Sequence, residues 1–213
     1  MKKATTLLYY SGKNLLPKDF ADAVRQNLRR VSGGRRIIWQ MQKEDVLPSY
    51  TAILLNICEG LEKVKTEYVA FCEHDVLYTA THFDRIPVCN IEYNKNRYRL
   101  LANKAVYCKR LGVAMSTLIG KTDVTLNHFQ ERLAYRDTYP PKGHWEPKGD
   151  EHRVFGLTKI SVGFWKSQNP NVDVVNHGYN LTRIKNVRNP QKSLRSWGLA
   201  TDVIKEHSIP TIL

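Results

Sequence analysis

The fold is decided by the stretch TEYVAFCEHDVLY, residues 66–78. Its centre, residues 68–72, is a continuous apolar run, which is typical of a strand buried on both faces of a parallel sheet. The run ends abruptly in Glu73, His74 and Asp75, three groups that are costly to bury without partners. Because ligands of open α/β sheets bind beyond the carboxyl ends of the strands, these three side chains are predicted to line a ligand site.

The segments before this stretch alternate between strand and helix patterns. Residues 4–10 and 36–40 are short apolar runs and predict strands, whereas apolar residues at helical spacing predict helices at 20–31 and 49–64. Alternation of this kind favours βαβ units. The predicted fold class is therefore α/β, with a mostly parallel, Rossmann-like sheet flanked by helices.

Beyond residue 83 the pattern becomes less regular. Two short strands, at 88–93 and 98–101, are predicted to be joined by the polar turn 94–96. A loop or lid is predicted where five prolines and glycines cluster within residues 139–150. The other predicted elements are apolar stretches at 105–111 and 113–118, strands at 159–165 and 171–175, and helices at 122–137 and 199–206. No repeat or low-complexity linker interrupts the sequence, so residues 1–213 are predicted to form a single domain.

This order of elements resembles the core of the GT-A-type glycosyltransferases, and in particular small phage-encoded members. In that family a short acidic motif, usually written DXD, ends a central strand and holds a metal that bridges the two phosphates of a nucleotide-sugar. The resemblance implies that Asp75 is a direct, catalytic metal ligand. It also implies that Glu73, which stands where the family has aspartate, contacts the metal through water or holds the ribose. An acidic triplet in isolation is also consistent with a solvated junction between strand and loop.

The same resemblance implies roles for residues later in the chain. His177 follows the strand predicted at 171–175 and matches a histidine that GT-A enzymes often add to the metal site, although a histidine there can also be structural. Imidazole with carboxylates suits Mn²⁺, and Mg²⁺ remains an alternative. Glu146 is predicted as the general base, with Asp150 and Glu151 as competing candidates. The remaining implied residues bind the donor, at Tyr9, Tyr10, Lys13, His74 and Arg183, and the acceptor, at Trp145.

The chain is strongly basic, with a formal net charge of +13 from 33 Lys and Arg against 20 Asp and Glu. The excess is clustered at residues 25–36, 95–110 and 183–195, and aromatic residues are interleaved in the second cluster. Basic stripes mixed with aromatics are typical of nucleic-acid surfaces, although anionic lipid or a merely basic surface gives the same composition. The predicted DNA contacts are Arg97, Arg99, Lys104, Arg188 and Arg195.

The cysteines, the lengths of the apolar runs and the absent motifs bear on the cellular location and the enzyme class of the protein. The four cysteines, Cys58, Cys72, Cys89 and Cys108, show no CxxC spacing and are interpreted as reduced thiols of a cytoplasmic protein. No apolar run approaches the length of a transmembrane helix. The motifs GxxxxGK[ST] and GxGxxG and the nucleophile elbow are absent, which argues against kinase, dehydrogenase and α/β-hydrolase functions.

The sequence and the resemblance together predict a metal-dependent glycosyltransferase. The predicted donor is a UDP-sugar of glucose or arabinose, and the best candidate acceptor is 5-hydroxymethylcytosine in double-stranded phage DNA. The alternatives are a transferase acting on a glycan or protein, a non-catalytic nucleic-acid-binding domain, and a metal-dependent nuclease using the same carboxylates. The sequence does not fix the sugar, the stereochemical outcome or the oligomeric state.

Overall fold

The structure, a computed structural model, describes residues 4–11, 16–41, 50–110, 112–135, 147, 157–175 and 189–210. Four helices and twelve strands are present in this part of the chain. The helices are α1 (Lys18–Val31), α2 (Tyr50–Leu61), α3 (Thr122–Ala134) and α4 (Ala200–Glu206). The strands are β1 (Thr5–Ser11), β2 (Ile37–Met41), β3 (Tyr68–Glu73), β4 (Val76–Leu77), β5 (Ile91–Asn94), β6 (Arg97–Leu101), β7 (Val106–Lys109), β8 (Leu118–Lys121), β9 (Val162–Trp165), β10 (Asn171–Val175), β11 (Ser193–Leu194) and β12 (Gly198–Leu199).

A six-stranded sheet in the order β2-β1-β3-β8-β5-β9 forms the centre of the molecule. Strand β1 pairs in parallel with both β2 and β3, and β5 pairs in parallel with β9. Only β8 runs antiparallel to its neighbours, β3 and β5. The predicted α/β class with a mostly parallel central sheet is confirmed.

Strand β1 is buried on both faces because its side chains alternate between two apolar cores. Leu7 and Tyr9 belong to one core, together with Phe20 of α1. Leu8 and Tyr10 belong to the other, which also contains Ile57 of α2 and apolar side chains of α3. This alternation follows from the two-residue period of a strand. It places α1 on one face of the central sheet and α2 and α3 on the other, so the sheet is flanked by helices as predicted.

A second, four-stranded sheet in the order β4-β10-β6-β7 packs on the α1 side of the central sheet. Its inward side chains, among them Leu77, Leu100 and Val174, share a core cluster with Leu7 of β1. Strand β4 begins three residues after β3 ends, so the acidic triplet lies where the chain passes from one sheet to the other.

The strands predicted at 88–93 and 98–101 are present but lie in different sheets. Strand β5 belongs to the central sheet and β6 to the second sheet, so the intervening residues are a crossing between sheets. Asn94 fixes this crossing, because its Oδ1 accepts hydrogen bonds from the backbone N–H of Asn96 at 2.8 Å and of Ser167 at 3.1 Å. A polar segment between two strand patterns therefore did not indicate which sheet each strand joins.

The other predicted elements agree with the structure to within a few residues. The four predicted helices correspond to α1, α2, α3 and α4, and the strands at 159–165 and 171–175 to β9 and β10. The apolar stretches at 105–111 and 113–118 contain β7 and the start of β8. The predicted loop or lid at 139–150 lies outside the described residues except for Pro147. None of the described helices is both long and apolar enough to span a bilayer.

Candidate functional site

Glu73 and Asp75 stand at the carboxyl end of β3, beside the end of β1. The parallel register places Tyr10 opposite Glu73, and the Tyr10 hydroxyl donates a hydrogen bond to Glu73 Oε1 at 2.6 Å. The bond holds the Glu73 carboxylate in a defined position, because Tyr10 is itself locked in the core with 7% of its surface exposed. The acid is thus anchored by the neighbouring strand.

The turn that carries the acids is fixed by the segment that follows it. The Tyr78 hydroxyl accepts a hydrogen bond from the Glu73 backbone N–H at 2.9 Å and donates one to the Ser116 carbonyl at 2.9 Å. The Asp75 carbonyl accepts a hydrogen bond from the Val174 N–H at 2.8 Å, which ties the turn to β10. Both contacts pre-organise the Glu73–Asp75 pair, hereafter the acidic pair.

The electrostatic environment of the acidic pair disfavours two negative charges. Desolvation by burial, followed by the charge of Asp75, raises the pKa of Glu73 to about 7. Desolvation by burial, followed by the charge of Asp173, raises the pKa of Asp75 to about 7. Burial lowers the pKa of His74, with Glu73 opposing that shift. Clustered carboxylates with raised pKa values are common at functional sites, and an added cation would favour their ionised forms.

Asp173 is a third acid near this site that the sequence analysis missed. It lies in the middle of β10, and its Oδ2 accepts hydrogen bonds from Arg97 Nη2 at 2.5 Å and Arg110 Nη1 at 2.6 Å. Burial acts to raise the pKa of Asp173, but the two guanidiniums outweigh it and hold that pKa below its usual value. The available signal was an aspartate within the apolar run NVDVV, since an acid buried there requires a partner.

The chemistry of the acidic pair fits a divalent cation held jointly by protein and substrate. Among the described residues, no group of three His, Cys, Asp or Glu side chains is arranged to hold a metal. Mg²⁺ is usually bound through one or two carboxylates together with substrate phosphates, so two carboxylates suffice for such a site. Glu73 and Asp75 would hold the ion, and the predicted third ligand, His177, lies outside the described residues.

The two tyrosines predicted to bind the donor are instead buried. Tyr9 is 1% exposed, and its ring packs against Trp39 with centroids 5.0 Å apart. Tyr10 is engaged with Glu73 and packs edge-on against Phe71. Neither ring is therefore placed to stack on a nucleobase, because Tyr9 is buried in the core on the α1 side of the sheet and Tyr10 in the core on the α2 and α3 side. His74 lies between the two acids and is partly exposed.

The predicted DNA contacts separate into surface and core residues. Lys104 and Arg195 are exposed, and Arg99 is partly exposed. The prediction for Arg97 is wrong, because its side chain is fully buried and paired with Asp173, so that it cannot reach a nucleic-acid backbone. Six further predicted site residues lie outside the described residues: Lys13, Trp145, Glu146, His177, Arg183 and Arg188.

The chain is similar to three solved structures of low sequence identity. One is a glycosyltransferase involved in glycosylation of the major capsid of PBCV-1, at 11% identity and TM-score 0.49, with 79% of this chain and 92% of that chain covered. The second is the inositol-1-phosphate CTP transferase of T. maritima, at 10% identity and TM-score 0.45, with coverage of 85% and 93%. The third is A197 of STIV, at 12% identity and TM-score 0.37, with coverage of 85% and 98%. These values are too low to support an argument about function.

The amino-acid sequence gives no closer relationship. No protein-family model matches it, and no curated protein is significantly similar to it. The functional interpretation therefore depends on the geometry of the acidic pair.

The raised pKa values of the acidic pair predict how the stability of the metal-free protein depends on pH. A carboxyl group whose pKa is higher in the folded state stabilises the fold at low pH, and this contribution is lost as the pH rises through about 7. Between pH 5 and pH 8 in EDTA, wild type should therefore lose more free energy of unfolding than Glu73→Gln. Urea denaturation measures both, with the exposed Glu62→Gln as control. Identical losses in wild type and Glu73→Gln would contradict the assignment.

Proposed function

We propose that this protein is a nucleotide-sugar-dependent glycosyltransferase whose donor diphosphate is bound at the acidic pair. The observation that carries the proposal is the placement of Glu73 and Asp75 at the carboxyl end of β3, a central strand of a mostly parallel sheet. Ligands of such sheets bind at this edge. Two carboxylates with raised pKa values are suited to a cation that in turn binds phosphate oxygens.

Each residue of the proposed site has a distinct task. Asp75 binds the cation directly, and Glu73, held by Tyr10, binds it directly or through water. When bound, the divalent ion, Mn²⁺ or Mg²⁺, supplies Lewis-acid stabilisation of the leaving nucleoside diphosphate. Among residues outside the described part of the chain, we propose His177 as a further ligand and Glu146 as the base that takes the proton of the acceptor hydroxyl.

The donor proposed for this site is a UDP-sugar. His74 stands between the two acids and is partly exposed, so it is placed to contact the donor. Lys13 and Arg183 remain proposals for contacts to the phosphates, since cations at a diphosphate form charge-assisted hydrogen bonds.

The acceptor we propose is double-stranded DNA that carries 5-hydroxymethylcytosine, to which glucose or arabinose is transferred. The net charge of +13 supports this acceptor, because one diphosphate requires only a few cations. Lys104 and Arg195 are exposed, as contacts to a phosphate backbone require. Arg188 and Trp145, which lie outside the described residues, complete the proposed acceptor contacts. The target base would have to leave the stack to reach the acidic pair.

Product analysis tests this proposal. The protein is incubated with Mn²⁺, a panel of UDP-sugars and duplex DNA containing or lacking 5-hydroxymethylcytosine, and the digested nucleosides are weighed by mass spectrometry. The proposal predicts a nucleoside heavier by one sugar residue in the hydroxymethylated DNA alone. UDP release without a modified nucleoside would redirect the acceptor to a glycan or protein. Cleaved DNA without UDP release would indicate a nuclease.

DNA affinity should depend on the exposed cations. Lys104→Glu and Arg195→Glu are each expected to weaken duplex binding and to reduce the slope of log affinity against log salt by about 0.9 per lost contact. UDP release from the free UDP-sugar should be unchanged. Fluorescence anisotropy over a salt series measures the binding. The control is the same charge reversal at Lys121, which ends β8 and lies outside the three basic clusters. An equal effect of Lys121→Glu would argue against a defined DNA surface.

A further inference from the structure

The face of the second sheet opposite the main core carries an excess of positive charge beside a small apolar cluster of Leu101, Cys108 and Val175. On β6 and β10, Leu100, Val172 and Val174 face the main core, so the alternate residues lie on the opposite face of the sheet. The charged residues of this opposite face, with Arg110 directly after β7, form what we call the arginine face: Arg97, Arg99, Arg110 and Asp173. This face therefore contains three guanidinium groups and one carboxylate.

The backbone register brings these groups together. Arg99 lies opposite Asp173 on one side and Cys108 on the other. The Arg110 N–H donates to the Arg97 carbonyl at 3.1 Å, which continues the pairing of β6 and β7 by one residue. Asp173 Oδ2 accepts hydrogen bonds from Arg97 and Arg110. The single acid is therefore engaged by two of the three arginines.

Unlike Arg97 and Arg110, Arg99 donates no hydrogen bond to Asp173 among the contacts of the described residues. Burial, followed by the charge of Arg110, lowers the pKa of Arg99, and Asp173 only partly offsets that effect. The buried Arg99 Nε has no hydrogen-bond partner within the described residues. Residues 176–188, which follow β10 in sequence, contain no Asp or Glu that would add a negative charge. An anionic ligand would supply the missing acceptors.

The arginine face adjoins the acidic pair. Arg110 and Arg97 are near enough to Asp75 to oppose the rise in its pKa, and the Asp75 carbonyl is bonded to β10. Asp173, which accepts hydrogen bonds from Arg97 and Arg110, lies opposite Val76, the residue that follows Asp75. Arg110 is thus close enough to the acidic pair for one ligand to contact both, the acids through a cation and the arginine directly.

We propose that Arg99 and Arg110 form a phosphate-binding subsite next to the acidic pair. The guanidinium fork matches the geometry of phosphate oxygens, and both side chains are partly exposed while Arg97 is fully buried. The identity of the substrate rests on the proposed function: the phosphate belongs to the donor diphosphate or to the backbone of a DNA acceptor. The chemistry of the subsite is the same in both cases.

Calorimetric titration in EDTA tests the subsite without a metal contribution. The probes are pyrophosphate, UDP and a short hydroxymethylated duplex, and the proteins are wild type, Arg99→Gln, Arg110→Gln and Lys109→Gln. Charge-assisted hydrogen bonds of this kind contribute enough that loss of one should weaken binding on the order of tenfold. The control variant Lys109→Gln removes a positive charge one residue from Arg110. Because Lys109 is exposed and lies outside the arginine face, this variant should bind the probes as wild type does.

The pattern across probes identifies the source of the phosphate. Weakened UDP and pyrophosphate binding in Arg99→Gln assigns the subsite to the donor, and weakened duplex binding alone assigns it to the acceptor. Arg99→Gln keeps the test decisive if Arg110→Gln, which breaks an ion pair, fails to fold. The subsite is refuted if Arg99→Gln binds all three probes like wild type, if wild type binds none, or if Lys109→Gln weakens binding equally. Arg99-dependent binding without any hydrolysis of UDP-sugars would retain the subsite and refute the proposed function.

Discussion

Replacement of Asp75 by Asn should abolish metal-dependent turnover of the UDP-sugar without destabilising the protein. A metal ion contributes several kcal/mol to the stabilisation of a leaving phosphate, so loss of its direct ligand should lower kcat on the order of a thousandfold. The fold should tolerate the change, because the surroundings of Asp75 already disfavour its ionised form. At pH 8 in EDTA, the free energy of unfolding should equal or exceed that of wild type.

The control for this experiment is Asp123→Asn, which removes an exposed carboxylate in the first turn of α3. That variant should retain the turnover and metal requirement of wild type. UDP release measures activity, and urea denaturation measures stability. Near-normal release by Asp75→Asn in the presence of Mn²⁺ would show that the acidic pair is not the metal site. A large loss of stability would show instead that Asp75 has a structural role.

The second large effect is expected on stability. Replacement of Arg97 by Met should lower the free energy of unfolding by about 3–5 kcal/mol, because breaking a buried ion pair leaves an uncompensated charge. Arg97 is fully buried, and among the described residues Asp173 keeps an ion pair only with the partly exposed Arg110 after the change, which compensates the buried carboxylate incompletely. Because Asp173 lies in the strand that is bonded to the Asp75 carbonyl, the variant should also lower donor turnover. Chemical denaturation measures the stability through the midpoint at constant m value.

A double variant separates loss of the ion pair from loss of packing. Arg97→Met combined with Asp173→Leu removes both buried charges and should recover much of the lost stability, since Arg110 is partly exposed and can be hydrated. Lys109→Met, which removes an exposed cation from the same sheet, should change the free energy of unfolding by no more than about 0.5 kcal/mol. Equal losses in Arg97→Met and Lys109→Met would contradict the assigned role of the buried pair.

The order of elements could be predicted from the sequence because the signals were local. The apolar run predicted at 68–72 ends one residue before the structure ends β3, at Glu73, and the helical spacing of α1 and α2 is clear in the sequence. The position of the acidic pair at the sheet edge follows from that one boundary and from the parallel pairing of β1 with β3.

The site could be predicted less well because its remaining contacts are long-range. Arg97 lies in a basic segment and was assigned to the surface, but its partner Asp173 is 76 positions away. Tyr9 and Tyr10 stand at a strand end, where exposure is expected, yet Tyr9 packs on Trp39 and Tyr10 bonds to Glu73. Neither a composition cluster nor the position of a residue within a strand reveals which distant element covers it.

The central claim, that the acidic pair binds the diphosphate of a nucleotide-sugar through a divalent cation, is tested most directly by UDP release. Purified protein is incubated with a UDP-sugar in EDTA, and Mn²⁺ or Mg²⁺ is then added while UDP is measured. We predict slow hydrolysis that requires the metal, is absent in Asp75→Asn and is unchanged in Asp123→Asn. Absence of UDP release from every UDP-sugar tested, or release that is equal with and without the metal, would contradict the claim.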